Sequence, residues 1–109
     1  MTEPRPLQEQ ELRLIQQYIH CNLKLSPRQF YARWDISYEA IAAICGRSST
    51  TVRRWFSRGS HYRAPSSSDL YHLALVDFLL QHHQEIPVEL FDTLCPPHSI
   101  DSSETSEDI

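Results

Sequence analysis

Glycine is scarce in this sequence, because Gly46 and Gly59 are the only two in 109 residues. A Gly-rich phosphate-binding loop of either common type needs more glycines at close spacing, which excludes that class of nucleotide site. No apolar run approaches the length of about 18 residues that a membrane-spanning helix needs. The three cysteines, Cys21, Cys45 and Cys95, form no Cys-x-x-Cys pair. We therefore expect reduced thiols that pack as small hydrophobic side chains in a cytoplasmic protein.

Charge of one sign is missing from long stretches of the chain, although the net charge is only −4. Residues 1–46 are neutral overall, whereas residues 47–68 carry five arginines and no acid. Residues 69–95 carry five acids with no Lys or Arg, and residues 96–109 add four further acids. The whole-chain charge argues against a polyanionic partner. The local basic block argues for one, and a short basic segment of this kind is typical of nucleic-acid contact.

The apolar residues recur at helical spacing, and no segment alternates with a period of two, so the sequence predicts an all-α fold. Ser26 before Pro27 and Ser37 before Tyr38 are helix-start signals. Ser48 or Ser49 is expected to cap a fourth helix that runs through Phe56, and Ser68 or Asp69 a fifth. The first two helices are expected to bury Leu12, Ile15, Ile19, Leu23, Phe30 and Trp34. The predicted helices cover residues 7–23, 27–34, 38–45, 49–56, 70–83 and 87–95.

Composition divides the chain into five predicted parts. Residues 1–6 are expected to be frayed, and residues 96–109 form an acidic, Ser-rich tail of the kind that is disordered. Between them we expect a helical unit over residues 7–58, a basic linker over residues 59–68, and a helical extension over residues 69–95.

The most informative segment is YEAIAAICGRSSTTVRRWFS, from Tyr38 to Ser57. Ala42 is small enough for two helices to cross closely there. Gly46, four residues later, stands at a turn position that usually requires positive φ. The apolar residues expected to face the core of this pair are Ile41, Cys45, Val52 and Trp55.

This segment resembles the helix-turn-helix motif of bacterial DNA-binding proteins. Its phrase TTVRRWFSRG is similar to the recognition helices of homeodomain-like and resolvase-type motifs, and the layout resembles small cyanobacterial-type helix-turn-helix proteins. The resemblance implies double-stranded DNA as the partner, with helix 49–57 in the major groove. Arginine is the commonest reader of guanine in that groove. The residues that the resemblance places on the bases are Ser49, Thr50, Arg53, Arg54 and Ser57.

A second set of residues is expected to contact DNA phosphates. The loop after the motif interleaves basic residues with an aromatic one, which suits phosphate or minor-groove contact. A flexible surface linker is the alternative for this loop, and ordinary surface charge is the alternative for Arg28 and Arg33. The full expected set is Arg28, Arg33, Arg47, Ser48, Arg58, His61, Tyr62 and Arg63.

The helix predicted over residues 70–83 is apolar on every side, and such a helix is normally covered on every side. One face, with Leu73, Val76 and Leu80, is expected to pack within the chain. The other face is left for the last helix, for a second copy in a homodimer, or for a different protein such as RNA polymerase. The residues of that possible partner surface are Tyr71, Leu75, Phe78 and Leu79.

No catalytic, metal-binding or cofactor site is expected from the sequence. His82 and His83 are adjacent on a helix, so they point about 100° apart and rarely share one ion. The leading interpretation is a small bacterial transcriptional regulator of the nucleoid, with no membrane association. The alternatives are a DNA-binding module of a mobile-element or plasmid system, or a protein–protein adaptor that keeps the fold without binding DNA.

Overall fold

The computed structural model describes residues 3–97, and every regular element among them is helical. The predicted all-α class is therefore confirmed. Residues 98–109, which hold most of the predicted acidic tail, lie outside the described residues, as do residues 1 and 2 of the predicted frayed N-terminus. The elements are α1 Glu9–Ile19, α2 Pro27–Arg33, α3 Tyr38–Cys45, α4 Ser49–Trp55, a 3₁₀ turn Gly59–His61, α5 Ser67–Gln81 and α6 Val88–Leu94.

Serine side chains begin three of these helices in the way that the sequence predicts. Ser26 Oγ accepts the Gln29 N–H at 3.0 Å, and Ser37 Oγ accepts the Ala40 N–H at 3.1 Å. Ser48, and not Ser49, caps α4, because its Oγ accepts the Thr51 N–H at 3.1 Å. Each such cap satisfies one of the orphan donors of a helix N-terminus, and its loss typically costs about 1 kcal/mol.

Several predicted helix ends were wrong. The first helix spans residues 9–19 and not 7–23, α2 ends one residue before Trp34, and α4 ends at Trp55 rather than at Phe56 or Ser57. The helix α5 spans residues 67–81 and not 70–83. Its cap is Ser66, whose Oγ accepts the Asp69 N–H at 3.2 Å, so neither Ser68 nor Asp69 is the capping residue.

The apolar core lies in the segment from Leu25, just before α2, to the first half of α5. Apart from Leu25, its side chains come from four helices, and interlocking of such side chains removes them from water. The buried apolar residues are Leu25, Phe30, Ile41, Ala42, Val52, Trp55 and Leu73.

The predicted burial of α1 was wrong. Leu12, Ile15 and Ile19 are all exposed, and the helix contains no buried residue. A regular amphipathic stripe gives a helix one apolar face, but it does not supply a neighbour to cover that face. Trp34 is likewise only half-buried.

The prediction that the thiols pack as small hydrophobes was wrong for two of the three cysteines. Cys21 and Cys95 are exposed, and only Cys45 is partly covered. Burial, with a contribution from the nearby Asp69 carboxylate against the opposing charge of Arg47, raises the pKa of the Cys45 thiol to about 11. The Cys45 thiol is therefore protonated at neutral pH, and it is not a reactive nucleophile.

The chain divides into two compact units, Met1–Leu75 and Val76–Ile109, and the division falls within α5. No helix of the described residues is long and apolar enough to cross a membrane.

Candidate nucleic-acid interface

A tight glycine turn joins α3 to α4. Gly46 has φ +68° and ψ +37°, the left-handed conformation that glycine adopts without strain. The Arg47 N–H donates to the Ala42 carbonyl at 2.8 Å, and the Gly46 N–H donates to the Ala43 carbonyl at 3.4 Å. These two bonds form a Schellman motif, which satisfies the last carbonyls of α3 and reverses the chain direction. Ser48 then starts α4 two residues later.

The apolar side chains on the inner faces of α3 and α4 are buried in the core. Ile41 and Val52 are fully buried, and Ala42 and Trp55 are nearly so. With these positions filled by apolar side chains, the polar residues of α4 are left on its outer face. Thr50, Arg53 and Arg54 are exposed, and Ser49 is half-buried. A short helix therefore presents two adjacent guanidinium groups to the outside from a fixed backbone.

Ser57 lies beyond the end of α4 and not within it. Its hydroxyl donates to the Arg53 carbonyl at 2.9 Å, and its N–H donates to the Arg54 carbonyl at 3.3 Å. Ser57 thus closes the C-terminal end of α4 by satisfying carbonyls that have no intrahelical partner. Its assignment as a base-reading residue stays a prediction.

A carboxylate stands near one of the two arginines. Glu39 Oε2, from the first turn of α3, lies 3.9 Å from Arg53 Nη2, and both side chains are more than half exposed. An ion pair this exposed is worth little in stability. Its effect is local, since Arg53 has an anionic neighbour from another helix. The acid-free block of residues 47–68 gave no signal of this contact, because Glu39 precedes the block in the chain.

Arg47 does not extend into solvent. Its Nε donates to Asp69 Oδ1 at 2.9 Å, and its Nη2 donates to Asp69 Oδ2 at 3.2 Å and to Ser66 Oγ at 3.3 Å. The paired bonds form a bidentate ion pair with a carboxylate that is only 3% exposed. A phosphate contact by Arg47, as the sequence predicts, would have to compete with this ion pair.

Asp69 also receives the N–H and the hydroxyl of Ser66, at 2.8 and 2.9 Å. Burial raises the pKa of this carboxyl, but the hydrogen bonds from Arg47 and Ser66 outweigh it, so the pKa lies below its ordinary value. The hydrogen bonds to Asp69 and the negative charge of its carboxylate raise the pKa of Arg47. The Ser-x-x-Asp spacing of residues 66–69 is a capping signature that could have revealed part of this cluster from the sequence.

An aromatic cluster on α2, α3 and the end of α4 escaped the sequence analysis. The rings of Tyr38 and Phe56 stack at 4.6 Å, and Tyr31 lies 5.2 and 5.3 Å from them. The Arg28 guanidinium lies 5.6 Å from the Phe56 ring centre and donates to the Phe56 carbonyl at 3.3 Å. The three rings are seven, eighteen and twenty-five positions apart in the chain and come from three different helices or their ends, so no local pattern predicts their contact.

The loop after α4 folds back on that helix. The Arg63 N–H donates to the Arg54 carbonyl at 3.2 Å, and Gly59, at φ +65°, allows the intervening 3₁₀ turn. Arg58, His61, Tyr62 and Arg63 are all exposed. The backbone bond brings Arg63 to the same end of α4 as Arg54. Arg33 is exposed on α2, and Ser48 is exposed at the start of α4.

The four residues of the predicted partner surface have different surroundings. The Tyr71 and Tyr18 hydroxyls are 3.1 Å apart, and Leu75 is exposed. In the second unit, Phe78 is 51% exposed with its ring 4.6 Å from that of His82, while Leu79 is half-buried.

Within residues 3–97, no three His, Cys, Asp or Glu side chains lie close enough to hold a metal ion. In comparisons with known proteins, the chain matches no family model, no curated protein and no solved structure.

Proposed function

We propose that this chain is a sequence-specific DNA-binding protein that reads the major groove with α4 and acts as a small transcriptional regulator. The observation that carries the proposal is the pair of exposed arginines on α4, held by the glycine turn and the buried inner face of that helix. The second helix of a helix-turn-helix motif lies in the major groove, where its side chains contact base edges.

Each outward-facing residue of α4 has a defined role in the proposal. Arg53 and Arg54 donate paired hydrogen bonds to guanine O6 and N7. Thr50 offers both a hydroxyl and a methyl group, which suit a phosphate and a thymine respectively. Ser49 stands at the first helical position, where its side chain faces the same groove.

Besides the Thr50 hydroxyl, the phosphate contacts come from residues that surround α4. Arg58, His61, Tyr62 and Arg63 follow the helix on an exposed loop, and the backbone bond from Arg63 to Arg54 fixes that loop at the helix end. Ser48, Arg28 and Arg33 complete the set. We leave Arg47 out of it, because its guanidinium is engaged with Asp69.

Selection of bound sequences from a random duplex pool tests the proposal directly. We expect one preferred sequence, and an affinity that falls steeply with salt because counterions are released from phosphates. Arg53→Ala or Arg54→Ala should then weaken specific binding by about 1–3 kcal/mol and relax the preference at one base position.

Arg13→Ala is the matched control, because Arg13 lies on α1 and pairs with Glu9 on the same exposed helix. This variant should bind the selected duplex as the wild type does. Failure of any preferred sequence to emerge, or wild-type affinity and preference in both α4 variants, would refute the proposal.

A protein–protein adaptor is the second candidate function. The exposed apolar surface of residues 76–97 favours it, since contiguous apolar surface marks interaction sites. The two functions are compatible in one chain, because the features that support them lie in different units.

A further inference from the structure

The described part of the second unit, residues 76–97, buries no apolar side chain. Three apolar residues, Val76, Leu79 and Ile86, are half-buried, and the others are exposed. Leu90 is 65% exposed and Leu94 is 76% exposed, although both lie on a regular helix. A segment this rich in large apolar residues gains little from folding unless something else covers it.

Six of these apolar residues are not scattered but line two hollows that share part of their walls. One hollow of about 510 Å³ lies between the end of α5 and α6 and is lined by Leu79, Ile86, Leu90, Phe91, Thr93 and Leu94. A second hollow, of about 240 Å³, shares Leu79, Ile86 and Phe91 with the first and adds His83, Val88 and Asp92. We call the two together the α6 groove. Apart from Thr93, His83 and Asp92, its walls are aliphatic and aromatic, which suits the apolar face of an inserted helix.

Charge identifies the occupant. Residues 76–97 contain Asp77, Glu85, Glu89 and Asp92 and no Lys or Arg. Residues 98–109 carry four more acids and no Lys or Arg, so the chain's own C-terminal segment has the wrong sign to cover the groove. A second copy of the chain would bring the same acids to a shared interface, and like-charge juxtaposition across an interface is costly.

We propose that the α6 groove binds an amphipathic helix of another protein, one with an aliphatic stripe flanked by Lys and Arg. The stripe contacts Leu79, Phe91 and Leu94. The flanking cations lie over Glu89 and Asp92. The proposal is independent of DNA binding, because none of these residues belongs to the α4 surface.

The probe is a synthetic helical peptide of about 18 residues, made of Leu and Lys with Leu at helical i, i+3, i+4 and i+7 spacing. Two comparison peptides separate the effect of charge from that of the apolar stripe. One replaces every Lys by Glu, and the other scrambles the order so that no stripe forms. We expect the Leu–Lys helix to bind the full-length protein about tenfold more tightly than either comparison peptide, and to weaken as salt rises. Equal binding of the scrambled peptide would overturn the proposal, because charge alone would then suffice.

Variants locate the peptide. Leu90→Glu with Leu94→Glu should lower affinity about tenfold or more, and these residues are exposed enough that folding is unaffected. Leu14→Glu, on an exposed site of α1, is the matched control and should change nothing. The double charge reversal Glu89→Lys and Asp92→Lys should shift the preference from the Leu–Lys to the Leu–Glu peptide. If that variant still prefers the Leu–Lys peptide, then Glu89 and Asp92 do not contact the peptide's cations.

Sedimentation equilibrium of the wild type tests whether a second copy of the chain occupies the α6 groove. We expect a monomer at micromolar concentration. A dimer that Leu90→Glu dissociates would show that a second copy fills the groove and would overturn the proposal. Arg53→Ala should bind the Leu–Lys peptide as the wild type does, so a failure of DNA binding leaves this test intact.

Discussion

The two units of this chain use similar side chains with opposite results. In the first unit, leucine, isoleucine, valine and aromatic residues from four helices interlock, and Phe30, Ile41, Val52 and Leu73 lose all contact with solvent. In the described residues of the second unit, the same residue types are exposed or at most half-buried. Apolar composition therefore supplies the material for a core, but only neighbouring elements turn it into one.

Asp69 of the first unit and the acids of α6 in the second unit differ in the same way. Asp69 is buried and accepts four hydrogen bonds. Two come from the Arg47 guanidinium, one from the Ser66 N–H and one from the Ser66 hydroxyl. Glu89 and Asp92 are exposed beside apolar side chains. A carboxylate that is buried with its partners stabilises the fold, whereas an exposed one adds charge to a surface.

The largest expected effect comes from replacing one leucine by alanine in each unit and comparing the losses of stability. Leu73→Ala removes a fully buried side chain and should lower the free energy of unfolding by about 2–5 kcal/mol. Leu94→Ala removes one that is 76% exposed and should change it by less than about 0.5 kcal/mol. Urea denaturation followed by circular dichroism measures both. Equal losses would show that residues 88–94 are covered in solution.

The same comparison can be made with the acids. Asp69→Ala should cost about 2–4 kcal/mol, since it leaves Arg47 without its bidentate partner and removes the capping contacts at the start of α5. This is less than a fully buried pair would cost, because the Arg47 side chain is 42% exposed. Asp92→Ala, in the second unit, should be nearly neutral in the same denaturation experiment. A neutral Asp69→Ala would contradict the role assigned to this ion pair.

Gly46→Val should cost about 1–3 kcal/mol, because a β-branched residue is strained at φ +68°. A Cβ at this position would meet no atom within 4 Å, so the loss reports backbone conformation alone. Gly46→Asn is the control and should be milder, since asparagine tolerates the left-handed region. A wild-type melting temperature for Gly46→Val would exclude the turn described between α3 and α4.

A smaller effect is expected from pH. The pKa of Asp69 is lowered in the folded protein, so its stabilising contribution is present above the ordinary carboxyl range near 4 and is lost as the pH falls through the folded value. The stability gap between the wild type and Asp69→Asn should therefore be widest at pH 6 and should narrow toward pH 3. Thermal melts of both proteins across this range measure the gap. A stability gap that stays constant from pH 6 to pH 3 would mean that the charge of Asp69 does not stabilise the fold.

Local signals predicted much of the fold. Helix ends are marked by backbone hydrogen bonds and dihedral angles, which depend on residues three or four positions away. The residues that gave such signals are Ser26 with Pro27, Ser37, Ser48 and Gly46. The bounds of α3 followed from such signals alone. The C-terminal end of α1, which has no glycine, was placed four residues too far along the chain.

The rest of the candidate interface could not be predicted, because it depends on contacts between residues far apart in the chain. Arg47 was expected at a phosphate, yet Asp69, twenty-two positions later, engages it. The proximity of Glu39 to Arg53, and the contact of Tyr31 and Tyr38 with Phe56, arise from the crossing of helices and not from any spacing.

The sequence by itself determined that the chain is helical, where α3 turns into α4, and that its bases and acids are segregated. It could do so because caps, turns and periodicity are properties of neighbouring residues. Only the tertiary structure decided which apolar stripes become core and which arginines stay exposed. The stripe of α1 was expected in the core and is exposed, as are the apolar residues of α6, because burial requires a second surface.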